Sequence, residues 1–287
     1  MLPKVVTVVP SLARRRTTAR CLQLNGTQAR TRGDAYQGRK ICPVTADPTV
    51  LVNDLAPTGT LRASINLGNP VLAQGTPESP GGVTADIARE LARRLSVPVD
   101  FACFDAARKS FEAMAAGATD VCFLAIDPAR ETEVAFTAPY VVIEGVYAVP
   151  DGSPIATVDD VDREGVRIGV KHGSAYDLYL SRTLKHATVV RGSEGTDEYL
   201  AQGLEVAAGI RQPMTAFVDS HVGHRLLNGR FMQIQQAMGT TRTRRSETVD
   251  FLRSFVEELK SNGFIAESLR RSGQDSTLAV SGNTPTN

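Results

Sequence analysis

The 287-residue chain has no window of 18 uninterrupted apolar residues, so no membrane-spanning helix is read from it. Its four cysteines, Cys21, Cys42, Cys103 and Cys122, form no C-x-x-C pair and have no histidine at metal spacing, which excludes zinc-ribbon and thioredoxin-like motifs. His221 and His224 make an H-x-x-H with no third ligand nearby and read as loop histidines at the end of a helix. There is no P-loop, no dinucleotide-binding glycine fingerprint and no Ser-His-Asp set. No cofactor, metal or catalytic residue is therefore expected. Collagen-like, coiled-coil and fully disordered classes are excluded by 42% apolar and 22% charged residues, the mixture of a globular protein.

Net charge is also nearly absent, at +1, but it is unevenly spread. Residues 1–45 hold nine basic residues and one acid, Asp34, for a sum of +8, while the remainder, with 23 basic and 30 acidic residues, carries −7. An acidic body argues against nucleic acid as a partner. The basic head, residues 1–50, is expected to be a disordered arm. Val5–Pro10 is shorter than the apolar region of a secretory signal and Arg14–Arg16 follow it, so no conventional export signal is read. A transit-like segment, an arm and a misassigned start all stay open.

From Leu51 the chain becomes regular. Leu61–Asn66 reads as a strand, 74–82 as a Gly/Pro-rich loop, and Thr84–Leu95 as a helix capped by Thr84, with Ile87, Leu91 and Leu95 on one face. Val97–Phe101 and Asp120–Ile126 are strands flanking the helix Arg108–Gly117. This β-α-β-α-β order predicts a mostly parallel sheet covered by helices. After the strand Tyr140–Val149, Pro150-Asp151-Gly152-Ser153-Pro154 breaks the chain and a second unit begins. It has strands at Val166–Val170, Thr188–Arg191, Leu204–Ile210 and Phe231–Ala237, with helices at Ser174–Leu184, at Thr196–Ala201 and opened by Pro213. Helices Ser246–Lys260 and Ile265–Arg271 follow. The expected division is 51–150 plus 238–272 as one lobe and 151–237 as the other, with 273–287 as a frayed tail. A cleft between two α/β lobes is a natural ligand site.

Four stretches resemble the family 3 extracellular solute-binding proteins, the polar amino-acid receptors of ABC importers. They are GTLRASINLGNP, GGVTADIARELARRLSVPVDF, DVCFLAIDPARETEVAFTAPYVV and RIGVKHGSAYDLYL. The third is the most specific, because its Arg, Phe and Pro-Tyr have the family spacing. The resemblance implies an α/β fold of the type II periplasmic-binding-protein architecture, with two lobes, a two-strand hinge and an inter-lobe ligand cleft. It further implies a periplasmic, monomeric, non-enzymatic receptor that presents a small carboxylate or amino-acid-like ligand to an ABC permease in the membrane.

The same resemblance assigns Arg130 to the ligand carboxylate, for which a guanidinium offers paired N–H donors. The alternative is a surface Arg beside Glu131 and Glu133. Ser174 and Ala175 lie at a strand-to-helix turn whose free amides suit an anion. The Ser174 side chain reads equally as a helix cap. Asn66 and Asn69 fall where the family places polar and aromatic contacts, and both also suit a turn. Leu124, Ala125 and Phe123 stand where basic-amino-acid receptors have Ser/Thr, in a stretch two residues shorter. The family acid that holds an α-ammonium is replaced by Ile210 and Arg211, with Asp219 placed on the following helix. The aromatic that sandwiches side chains is absent near Asn69. A cleft with Arg130, Arg211 and helix-terminal amides favours an anionic ligand with no essential ammonium. Two alternatives remain: a cyclohexadienyl dehydratase-like enzyme, for which Glu144 is the one nominated acid, and a cytoplasmic or sensory module on the same fold.

Overall fold

A computed structural model describes residues 47–282. The expected arm therefore lies, up to residue 46, outside the described residues, and so does the tail from 283 onward. The arm was drawn too long. Asp47 caps a helix, α1 (Pro48–Leu55), by accepting the Thr49 amide at 2.9 Å, with Pro48 preset for the first turn. Leu51 and Leu55 of α1 are buried.

The first α/β unit follows its apolar pattern. Strand β1 (Leu61–Asn66) leads to a short hairpin, β2 (Gln74–Thr76) and β3 (Ser79–Gly81), where a loop was expected. Helix α2 (Val83–Leu95) buries Ile87, Leu91 and Leu95. Its N-cap is Gly82, not Thr84; the Thr84 hydroxyl instead donates to the Leu72 carbonyl at 3.2 Å. Next come β4 (Val99–Phe104), α3 (Ala107–Ala115), β5 (Val121–Ala125), β6 (Val134–Phe136) and β7 (Val141–Pro150). The strand β6, three residues long, was not foreseen in its polar surroundings.

The second unit holds β8 (Arg167–Lys171), α4 (Ala175–Thr183), β9 (Thr188–Gly192), α5 (Gly195–Gln202), β10 (Val206–Ile210), α6 (Arg211–Ser220) and β11 (His224–Leu226). Then β12 (Met232–Thr241), α7 (Ser246–Ser261) and α8 (Phe264–Arg271) return to the first. The Ser/Thr/Gly-rich stretch after α8 is not frayed through residue 282: Ala279 bridges Val141, and the Val280 amide donates to the Tyr140 carbonyl at 2.9 Å.

One sheet runs through both lobes in the order β4-β1-β5-β12-β7-β10-β8-β9. The outer strands at each end are parallel, as β-α-β connections require. The two ten-residue strands β7 and β12 are antiparallel and couple the ends. β12 pairs with β5 over Gln236–Gly239 and with β7 over Met232–Gln236, while β7 passes on to β10 over Gly145–Ala148. Parallel strands β1, β5, β8 and β10 thus aim their carboxyl ends, Asn66, Ala125, Lys171 and Ile210, at one place.

Asp120 ties the β5 side of this joint. Its buried carboxylate accepts the Arg62 amide at 2.9 Å, Arg62 Nε at 3.0 Å and Arg244 Nη2 at 2.8 Å. Its carbonyl accepts the Thr240 hydroxyl at 2.8 Å. Strands β1, β5 and β12 are clamped by one acid. Removing one partner of a buried pair leaves charge uncompensated, so Asp120→Ala is expected to destabilise the protein by about 3 kcal/mol in urea unfolding. A loss within about 0.5 kcal/mol, as for an ordinary surface change, would contradict the clamp.

Candidate functional site

A small cavity of about 50 Å³ lies where the four strand ends converge. Of the eight residues singled out in the sequence, Asn66, Asn69, Leu124, Ala125, Arg130, Ser174 and Ala175 line it. Arg211 does not, and this is a correction. It opens α6, and its guanidinium turns to Glu144 and to the Gly229 carbonyl, the latter at 2.6 Å. Ile210, one residue earlier, faces the cavity instead.

Arg130 is positioned by a turn that Asp127 builds. The Asp127 carboxylate accepts the Ala129 amide at 2.9 Å and its carbonyl accepts the Arg130 amide at 2.9 Å. The Arg130 side chain then folds back under β5 and is only 2% exposed. Its Nη1 donates to the Ala125 carbonyl at 3.1 Å, and its Nη2 donates to the Gly173 carbonyl at 3.0 Å. No carboxylate pairs with it among the described residues. Asp127, the nearest acid, gives its oxygens to Arg182 at 2.8 and 3.2 Å. Burial accordingly pushes the Arg130 guanidinium down to about 10, a shift that Asp127 only partly offsets. A charge this deep normally has a partner.

The second lobe contributes the start of α4. Ser174 is its N-cap, accepting the Asp177 amide at 3.1 Å. Asp177 in turn accepts the Gly173 amide at 2.8 Å and Arg191 Nε at 3.0 Å. The Ser174 oxygen therefore serves the cap, and the amides at the start of α4 are the groups left to meet an anion. Gly173 has φ +69°, and a Cβ there would lie 2.7 Å from the Arg108 side chain, so only glycine lets this turn approach.

Neutral groups complete the lining. The side-chain carbonyl of Asn66 accepts the Gly68 amide at 3.1 Å, and that of Asn69 accepts the Val71 amide at 3.3 Å. Both form turns, as their residue type allows, and both keep an amide N–H2 for the cavity. A Cβ on Gly68 would meet the Asp105 carbonyl oxygen at 1.9 Å and Lys171 Nζ at 2.9 Å, so the lobes touch here as well. Lys171, His172, Tyr176, Ile234 and Gln236 also line the cavity and were not foreseen. Lys171 pairs with Glu194. Among the described residues, the lining includes no Asp or Glu.

Glu144 and the two histidines lie elsewhere. Glu144 on β7 is paired with Arg211 and, at 2.9 Å, with Arg230. Partial burial pulls its pKa up, but the two guanidinium groups outweigh this and hold it below the usual carboxylate range. The His221 ring stacks on Phe217 at 4.4 Å, next to His224, and no group of three metal-ligating side chains occurs among the described residues.

Comparison with known proteins gives a family and a fold. The family model of the bacterial extracellular solute-binding proteins, family 3, matches residues 66–274. No curated protein matches the chain. A solved mutant of ArgBP from T. maritima is 21% identical, covering 78% of this chain and 99% of its own, with a TM-score of 0.64. An ancestral amino acid-binding protein, titled a precursor of cyclohexadienyl dehydratase, is 15% identical over 77% of this chain and 97% of its own, with a TM-score of 0.64. An amino acid ABC transporter substrate-binding protein from Streptococcus pneumoniae, bound to L-arginine, is 13% identical over 76% and 96%, with a TM-score of 0.63.

The unpaired state of Arg130 has a measurable consequence. Replacing a buried, uncompensated charge by an apolar side chain of similar size is often neutral or stabilising. Arg130→Met is expected to leave the melting temperature of the unliganded protein within about 2 °C or to raise it. A drop of many degrees would make Arg130 a structural clamp.

Proposed function

Because the chain belongs to the bacterial extracellular solute-binding proteins, family 3, we propose that it captures a small carboxylate by lobe closure and presents it to the permease of an ABC importer. The observation that carries this reading is Arg130, buried in the cavity wall with two carbonyl partners and no counter-charge. A carboxylate seated there completes the fork of the guanidinium. The first lobe supplies that fork together with the Asn66 and Asn69 amides, and the second supplies the free N–H groups at the start of α4. Neither lobe alone encloses the anion, so binding favours the closed state by the contacts that exist only there. Phe123, Leu124 and Ile210 form an apolar wall that keeps the pairing dry. The protein acts in the periplasm as a monomer, with lobe boundaries near 150 and 238 at the two crossing strands.

The ligand proposed here differs from the arginine of the Streptococcus pneumoniae relative. A cationic amino acid would bring positive charge beside Arg130 and Lys171 with no acid in the lining to receive it. The acid nominated for the dehydratase reading, Glu144, is held between Arg211 and Arg230 and does not line the cavity. No catalytic step is proposed.

A thermal-shift screen of carboxylic acids and amino acids tests this. At a hundredfold excess over its dissociation constant a ligand adds about 2.7 kcal/mol of stability. Small carboxylates are expected to raise the melting temperature of the wild type and to leave Arg130→Met unmoved. A response to arginine or lysine with none to simple carboxylates would overturn the ligand class. Full response in Arg130→Met would remove the anchor.

A further inference from the structure

Gln236 is a residue that neither the motif comparison nor the anion argument uses. Its side chain belongs to the crossing strand β12, is 5% exposed, and lines the cavity. It makes no side-chain hydrogen bond among the described residues. A primary amide on a cavity wall can donate twice and accept twice, so it has capacity for a ligand. Register fixes where it points. Ile234 and Gln236, two residues apart on one strand, share a face, and both line the cavity. Gln236 stands opposite Ala125 on β5 and opposite Val141 on β7, so its backbone is held on both sides.

The Ala125 carbonyl is the acceptor that grips Arg130 Nη1, at 3.1 Å. Directly opposed residues of an antiparallel pair have Cα atoms about 4.5–5.5 Å apart. The Gln236 backbone is therefore one cross-strand step from the carbonyl that grips Arg130 Nη1. The ligand group that Gln236 meets belongs to the same small molecule that Arg130 would hold, because both side chains line one cavity. It is also neutral, because the side chain carries no charge and the lining includes no acid for an ammonium. A neutral group that matches an amide in both donating and accepting is a hydroxyl.

We infer that Gln236 is a specificity residue that reads a hydroxyl of the ligand, so that the ligand class is a small hydroxy acid. This rests on the carboxylate-capture reading above and adds to it a second point of recognition. A site built to hydrogen-bond a hydroxyl rejects the analogue that lacks it, because its own polar group is then left buried and unpaired.

Calorimetric titration of the full chain with propanoate, 2-hydroxypropanoate, 3-hydroxypropanoate and 2-aminopropanoate tests the inference. The wild type is expected to bind one of the two hydroxy acids at least about tenfold more tightly than propanoate. In Gln236→Met, of similar length and apolar, that preference is expected to fall below about threefold while propanoate affinity is retained. The unliganded melting temperature of this variant should be unchanged or higher, a result that a structural glutamine would not give. Gln236→Leu supplies a second variant should the first fail to fold, with the same loss of hydroxyl preference expected. A wild type with no hydroxyl preference, or a Gln236→Met that keeps it, overturns the role of Gln236 while leaving capture at Arg130 intact. If Arg130→Met binds the series as well as the wild type, or no acid of the series binds, the capture reading falls and this inference with it.

Discussion

A guanidinium withdrawn from water with only carbonyl oxygens beside it is the constraint on which this protein turns. Two neutral hydrogen bonds, to the Ala125 and Gly173 carbonyls, hold Arg130 in place without cancelling its charge. Three acids around the cleft are committed elsewhere. Asp127 is paired with Arg182, Asp177 with Arg191, and Glu194 with Lys171. The protein thus neutralises the charges around its cleft and leaves one uncancelled at its centre. Such a charge raises the free energy of the empty site, and an anion that enters lowers it.

The sheet explains why a ligand held at Arg130 would lie between the lobes. Because β7 and β12 are each shared by both ends of a single sheet, the lobes are joined by continuous hydrogen-bonded backbone and still separate at their strand ends. Polar contacts cross the gap, Arg130 with the Gly173 carbonyl and Asp127 with Arg182, and Lys171 and Arg108 closely approach Gly68 and Gly173. The apolar core packs on the sheet through α2, α7 and α4 and reaches the cavity wall at Phe123, Ala125, Ala175 and Tyr176.

Much of this was legible in the residues, because burial on one face leaves a period. The helix stripe Ile87, Leu91, Leu95 and the strand Leu61–Asn66 fall where the pattern puts them. Arg130 was legible through the spacing of its motif. What escaped had no period to show. β6 is three residues whose strand character comes only from pairing with β12, and the β2–β3 hairpin is held by backbone pairing among glycines and Pro80. The tail after α8 reads as polar yet is pinned by the Val280 amide on Tyr140. Arg211 was placed in the cleft by its position after β10, but the direction of a side chain at a helix start depends on its partner, and Glu144 lies on another strand. Gln236 was hidden because it is one of three glutamines in β12, with Gln233 and Gln235, and only its burial sets it apart.

The most direct measurement is a crystal structure of the protein with its tightest-binding carboxylate. The account requires both carboxylate oxygens within about 3 Å of the Arg130 guanidinium, in the cavity between the lobes. A ligand bound with Arg130 still satisfied only by Ala125 and Gly173, or seated outside that cavity, would contradict it.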